Sequence, residues 1–288
     1  MNAYVARVLA PLTLGFFVGC HSGPPAAEPA RGQAGGGATS ATPPASAVAL
    51  HPTAARAQAP TDPARIRQFV TSAERSALER REPRPFIAML ATDLVAVASR
   101  SSIPSPFDSQ FGRDRVAVIY RAATRQTARS ESVSFMNPVT TVAHNNEAHL
   151  EHDVVFTASN GNRTTALHEV IDLALRDGRW VMVRFQYWPL LPDSLEEYPQ
   201  SFWDEQDATV TAMTQSGDDR QLAYALMSGY RFDECAVVTR RLTAADPNDA
   251  WGWEMRATAS MMVGDEDDSD RAAVTAKRLK QAALGTNP

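Results

Sequence analysis

Two histidines and two aspartates on neighbouring segments are placed so that they could do chemistry together. Asn160-Gly161 is a strong two-residue hairpin signal. A tight turn there pairs Ser159 with Asn162, which sets His168 opposite Asp153 and Asp172 opposite His149. Glu151 shares that face, Arg184 and Gln186 join it from the next segment, and Trp188 could wall it. Facing histidine–carboxylate pairs in an enclosed pocket could transfer protons or hold a divalent metal. Asp172 and His168 are then the candidate catalytic groups. The same pattern has a plainer reading. The alternate positions carry Leu150, Val154, Phe156, Leu167, Ile171, Leu173, Val181, Val183, Phe185 and Tyr187. That apolar face would pack on helices and leave the polar face to water as cross-strand ion pairs. A single bulge would exchange the two faces. His144 and His152 fall at turn-proximal or opposite-face positions and take no role. The sequence holds no Ser/His/Asp elbow, phosphate loop or metal signature, so no metal and no cofactor is expected.

The elements that must position these groups follow from periodicity. Ile66, Phe69, Val70, Ala73, Ala77 and Leu78 recur at helical spacing, which predicts an amphipathic helix from Pro63 to about Arg81. Pro63 suits its first turn, and Pro83 and Pro85 end it and start a shorter helix, Phe86 to Leu90. Asp93 to Ala98 reads as a short strand, residues 101–111 as a loop, and Arg113 to about Thr127 as a third helix. The period then changes to two. Ser132–Ala143, Ala148–Ala158, Thr164–Arg176 and Trp180–Trp188 read as strands, with Asn145-Asn146, Asn160-Gly161 and Asp177-Gly178 as turns. Helices followed by an antiparallel meander predict an α+β cone, the curved sheet wrapping the helices, over residues 63–200. An all-α region of helical hairpins is expected over 203–288.

Before residue 63 the chain is of another kind. Arg7 precedes an apolar stretch, Val8 to Val18, too short to span about 30 Å of hydrocarbon at about 1.5 Å per residue. It ends at Gly19-Cys20. This arrangement resembles the signal peptide of bacterial lipoproteins, although Phe17 stands where that family usually has Leu. The resemblance implies cleavage after residue 19, lipid on Cys20, and attachment at the cell envelope. His21, rather than aspartate, after the cysteine favours the outer membrane over the inner. Residues 20–62 are dominated by Ala, Pro, Gly, Ser and Thr, and hold too few large apolar residues to offset the entropy of ordering them. They read as a disordered tether.

Within 63–200 the segments Pro85-Phe86-Ile87-Ala88-Met89-Leu90-Ala91-Thr92-Asp93 and Phe111-Gly112-Arg113-Asp114-Arg115-Val116-Ala117-Val118-Ile119-Tyr120-Arg121 stand out. With Glu169-Val170-Ile171-Asp172-Leu173 and Asp177-Gly178-Arg179-Trp180, they resemble the nuclear transport factor 2-like superfamily, which includes SnoaL-like cyclases and ketosteroid isomerase. The resemblance implies the cone fold and a homodimer through the sheet. In the isomerase a tyrosine and a buried acid form an oxyanion hole and a second aspartate is the base. Asp172 matches the segment of the buried acid, but the tyrosine position falls near Glu74 and the base position near Ala98. Without its base that reaction lacks a proton acceptor, so steroid isomerisation is not expected.

Further on, Leu222, Ala223, Leu226, Gly229, Phe232, Cys235, Leu242 and Pro247 resemble a tetratricopeptide repeat, with Asp219 where that family has a large aromatic. A partial second unit follows with Trp253, Ala257 and Gly264. The resemblance implies a protein or peptide partner in a helix groove. Two units are too few to stand alone, so Trp203, Trp251 or Trp253 should join this region to the cone. With Cys20 acylated, Cys235 has no disulfide partner and reads as a small buried hydrophobe. The formal net charge is −5, with no basic footprint for nucleic acid. These features together favour a membrane-anchored binding or scaffold protein. The alternative is a small-molecule enzyme or carrier using the polar face of the cone.

Overall fold

The computed structural model describes residues 61–126, 132–143 and 146–285. The signal peptide 1–19, Cys20, nearly all of the 20–62 tether and His144 lie outside the described residues.

The first helix, α1 (Pro63–Leu78), starts where the Asp62 carboxylate accepts a hydrogen bond from the Ala64 amide at 2.7 Å. It buries Ile66, Val70, Ala73, Glu74 and Ala77, while Phe69, expected on the same stripe, is 42% exposed. After α2 (Arg84–Met89) come β1 (Leu90–Ala98), β2 (Ser109–Phe111) and α3 (Arg113–Gln126). The meander is β3 (Ser132–Ala143), β4 (Glu147–Thr157), β5 (Arg163–Arg176) and β6 (Arg179–Leu190). The strand order is β2-β1-β6-β5-β4-β3. The sheet is mixed rather than wholly antiparallel, because β1 runs parallel to β6. The segment 101–111, expected as a loop, ends in β2, which pairs with β1 and covers its free edge.

Ile66, Val70 and Phe86 from the helices meet Leu150, Ile171, Leu173, Met182 and Phe185 from the sheet in one core. Burying each such side chain contributes about 1.5–3 kcal/mol. Phe86 stacks on Tyr120 with ring centres 3.9 Å apart. Asp177 and Gly178 both hold positive φ, as the two-residue turn between β5 and β6 requires. Two valines do not go where simple alternation puts them. A bulge in β6 pairs Asp172 with Arg184 but Leu173 with Met182. Trp180 and Met182 therefore enter the core, and Val181 and Val183 are only partly buried.

The second unit is α4 (Gln200–Ser216), α5 (Asp219–Ser228), α6 (Phe232–Ala245), α7 (Ala250–Met262) and α8 (Glu266–Ala283), the later helices packing in antiparallel pairs. Asp218, Asp249 and Asp265 cap α5, α7 and α8 with their side chains. The acidic run from Asp265 is the capped first turn of α8, where carboxylates favour the helix dipole. Cys235 is fully buried on α6, its thiol donating to the Ala223 carbonyl of α5 at 3.3 Å. Asp268 ties three helices together. It accepts from Arg256 at 3.0 and 2.6 Å and from Ser260 at 2.7 Å, and Arg256 also donates to Thr243 at 2.9 Å.

Arginines join the two units. Arg100, just past β1, is 3% exposed. Its Nε donates to the Gly229 carbonyl at 2.9 Å, and its two Nη atoms grip Asp207 of α4 at 2.8 and 2.9 Å. Its plane lies against the Phe107 and Trp203 rings. Arg115 of α3 donates to the Met262 carbonyl at 2.6 Å, and Arg121 forks onto Glu266. Gly264 has φ +83, and a Cβ there would stand 2.9 Å from the Arg115 side chain. The expectation that Trp203, Trp251 or Trp253 joins the units is met by Trp203, whose ring lies under Arg100. Trp251 stacks with Arg220, and Trp253 donates to the Pro247 carbonyl within the helical unit.

Two predictions follow from these ties. Arg100→Ala should lower stability by about 3 kcal/mol, near the low end for breaking a buried ion pair, because Asp207 keeps some solvent. Hydrogen exchange of the full chain should show faster exchange in α4 and α5; unchanged protection there would refute the tie. For Asp268, burial opposes ionisation, but the Arg256 and Ser260 hydrogen bonds and the Arg256 and Arg240 charges hold the carboxyl down to about 2. A lowered folded-state value gives stability that is present at neutral pH and lost as pH falls toward that value. Asp268→Asn should therefore cost about 1.5–3 kcal/mol at neutral pH. That gap should shrink below about pH 4 in urea titrations.

Candidate functional site

The hairpin sets His149 opposite Asp172 and Asp153 opposite His168. His149 Nδ1 lies 2.6 Å from Asp172 Oδ1, and its Nε2 lies 2.7 Å from Glu151 Oε1. A carboxylate on each ring nitrogen favours the doubly protonated form of the ring. Burial works against that charge, but the Asp172 and Glu151 contacts overcome it and raise the His149 pKa. His168 Nδ1 meets Asp153 Oδ1 at 2.7 Å, and Asn137 Nδ2 donates to Asp153 Oδ2 at 2.7 Å. Asn137 reaches it from a bulge in β3, with φ 50. Trp188 packs on the His168 ring at 4.5 Å, and Arg184 donates to Gln186, which donates to Ser99.

The eight side chains expected to line a pocket share one face of the sheet, opposite the face that carries the core residues Leu150, Ile171 and Phe185. His149, Glu151 and Asp172 are each more than a third exposed. Asp153 and Trp188 are buried, at the end where Val155, Leu190 and the 191–198 segment cover the sheet. The arrangement is a ladder of cross-strand ion pairs, each contributing about 0.2–1 kcal/mol. Asp172 and His168 stand in that ladder, outside the cone.

Inside the cone lies a second group that the alternation argument passed over. Glu74 of α1, His152 of β4 and Glu169 of β5 converge there. Glu74 and His152 are fully buried, and Glu169 is nearly so. His152 Nε2 lies 3.3 Å from Glu74 Oε2 and 3.3 Å from Glu169 Oε2. The Phe135 ring meets the imidazole edge to face at 5.2 Å. Both Glu74 oxygens and His152 Nδ1 lack a hydrogen-bond partner among the described residues. Burial, together with the Glu169 charge, raises the Glu74 carboxyl to about 7 against the pull of His152. Burial opposes the charge on His152, yet the two carboxylates raise its pKa to about 10. Tyr120 and Tyr187 are also raised, first by burial, and each feels the Glu169 charge. Ala98, near which the resemblance drawn from the sequence puts the isomerase's base, is a buried methyl with no proton to move.

The sequence held signals for this trio. Glu74 is a carboxylate within the buried stripe Ile66, Val70, Ala73, Ala77. His152 interrupts the inward series Ala148, Leu150, Val154, and its register partner is Glu169. A charged group on an apolar face is costly, so its presence there calls for a reason.

No protein-family model matches this chain, and no curated protein matches it. Solved structures are similar to it. An NTF2-like protein of unknown function from Pseudomonas putida KT2440 has 14% identity and a TM-score of 0.38 over 47% of this chain and 92% of its own. An NTF2-like protein from Cytophaga hutchinsonii has 11% identity and a TM-score of 0.35 over 45% and 99%. The association domain of C. elegans CaMKII has 12% identity and a TM-score of 0.34 over 43% and 92%.

The trio makes a prediction about stability with a characteristic asymmetry. Removing Glu74 leaves His152 balanced by Glu169, so Glu74→Gln should be neutral or stabilising. Removing the imidazole leaves two buried carboxylates facing each other, so His152→Leu should cost about 3–5 kcal/mol. Urea denaturation of the two variants would show the difference; equal costs would mean the three groups do not act as one charge cluster.

Proposed function

We propose that this protein is a lipid-anchored component of the cell envelope that binds a small ligand inside its cone. The observation that carries the binding role is the Glu74–His152–Glu169 cluster. Three ionisable groups from separate elements meet in a closed, apolar interior with hydrogen-bonding capacity left open. Buried polar groups are nearly always satisfied, and leaving them short is costly unless a ligand completes them. A ligand with cationic or donor character fits two carboxylates best.

The anchor reading is supported by Cys20 after its apolar stretch and by the tether-like composition that follows. Two lipid chains would hold the protein at a membrane where one would not. The outer membrane is the favoured one. The helical unit, gripped by Arg100, Arg115 and Arg121, would present its hairpins to a protein or peptide partner in fixed orientation to the cone. A second reading, an enzyme or carrier working within the cone, draws on the same imidazole set between two carboxylates. It requires turnover of the bound molecule, whereas the binding reading requires retention.

The test combines labelling and mass. Expressed in a bacterial host, the chain should incorporate radiolabelled palmitate in the membrane fraction, and Cys20→Ala should abolish it. Native mass spectrometry of the purified chain should show a noncovalent adduct that is lost in Glu74→Gln. A chain without adduct from any preparation would overturn the binding reading, and label persisting in Cys20→Ala would overturn the anchor.

A further inference from the structure

The spacing inside the cone differs from that of the histidine–carboxylate hydrogen bonds on the outer face. On the outer face those contacts are 2.6–2.7 Å, the length of charge-assisted hydrogen bonds. In the cone, His152 Nε2 stands 3.3 Å from a carboxylate oxygen on each side. Donors held about 2.0–2.1 Å from a tetrahedral metal ion lie about 3.3–3.4 Å from one another. The Nε2–Glu169 contact is a long hydrogen bond, and the two distances from Nε2 equal two edges of such a shell. One ligand atom from each of Glu74, His152 and Glu169 lies within 4.8 Å of the others, the only such group of three among the described residues.

We propose that Glu74, His152 and Glu169 bind a divalent transition-metal ion, zinc foremost, inside the cone. Charge and chemistry agree with the spacing. Two carboxylates balance a divalent cation, whereas an imidazolium balances only one of them, and an uncompensated charge in such an interior is costly. An imidazole beside carboxylates suits zinc, manganese or iron. Calcium and magnesium prefer oxygen shells of higher number. His152 Nδ1 and the second Glu74 oxygen are buried without partners among the described residues, so the cluster has ligating capacity that the chain itself does not use. Three protein ligands leave a fourth position for water or a bound molecule, the arrangement of zinc sites that exchange ligands. This inference rests on the cone being the ligand site and names the ligand as an ion.

The experiment uses the untagged full chain stripped with chelator. Zinc titration by calorimetry should give one tight site per chain and raise the melting temperature, and cobalt should give the visible spectrum of a four-coordinate ion. Glu74→Gln, which keeps a balanced His152–Glu169 pair and should fold, should weaken zinc binding at least about tenfold. Glu169→Gln should do the same, and His149→Ala with Asp172→Asn on the outer face should leave binding intact. No zinc or cobalt binding, or binding unchanged in Glu74→Gln, overturns the metal site. If the native adduct is organic and Glu74-dependent while zinc fails to bind, the metal inference falls and the binding reading stands. If neither ion nor molecule binds, both fall.

Discussion

The cost of burying charge organises this molecule. Arg100 sits almost wholly inside protein, yet its guanidinium is matched group for group. One nitrogen bonds a backbone carbonyl, two grip a carboxylate, and two aromatic rings cover the plane. Charge buried so completely is a fastener. It fixes the end of β1 against the middle of α4 and the C-terminal end of α5. Gly229 belongs to the same fastener, since a Cβ there would meet both the Ala225 carbonyl and an Arg100 nitrogen at 3.2–3.3 Å. The cone's interior has the opposite bookkeeping. There the acids and the imidazole are as deeply buried, but several of their atoms have no partner. A fold that satisfies one buried charge fully and leaves another cluster short marks the second as the place to look for function.

Much of the architecture was legible in the sequence because it rests on local rules. The Asn160-Gly161 and Asp177-Gly178 turns mark the hairpins. The first is one residue longer than the expected two-residue turn, closing between Ala158 and Asn162 rather than Ser159 and Asn162, and an irregularity between Phe156 and Thr157 restores the register that pairs His149 with Asp172. Pro63 begins α1, and the small residues Ala223 and Cys235 let two helices close on each other. What escaped was set by longer-range geometry. The parallel β1–β6 pairing depends on where the chain returns after α3 and three further strands, which no local pattern encodes. The short β2 lies in a stretch rich in Pro and Ser, with too few residues for a period to show. The β6 bulge moves Val181 and Val183 out and Trp180 and Met182 in, although alternation alone says the reverse.

The site was the least legible part, for a physical reason. Alternation sorts residues by polarity, and it sorted His149, Asp172 and their neighbours correctly onto one face. Polarity does not say which face is functional. On the outer face the charges are numerous, paired and wetted, so their presence costs little. In the interior, Glu74, His152 and Glu169 are the cluster of this kind among the described residues. Each looks like an exception to an apolar pattern rather than a member of a polar one. The informative signal was the exception, and its weight comes from the energy needed to keep it there.

The position of the trio in the sheet adds a last step. Two of its members are register partners, His152 opposite Glu169, and the β4–β5 pairing runs without a break from Glu147–Ala174 to Phe156–Thr165. The irregularities fall elsewhere: in β3 at Asn137, in β6 beside Arg184, in β1 between Leu90 and Val95, and at the far end of the β4–β5 ladder. A slip of one residue would turn His152 outward and bring a neighbour from the wet face into the core. The outer ladder of His149–Asp172 and Asp153–His168 pairs lies in the same stretch and favours the register that keeps His152 and Glu169 inside. The residues that first suggested chemistry thus have a use after all. They hold the two strands in the one alignment that lets a carboxylate from α1 meet an imidazole and a second carboxylate in the interior.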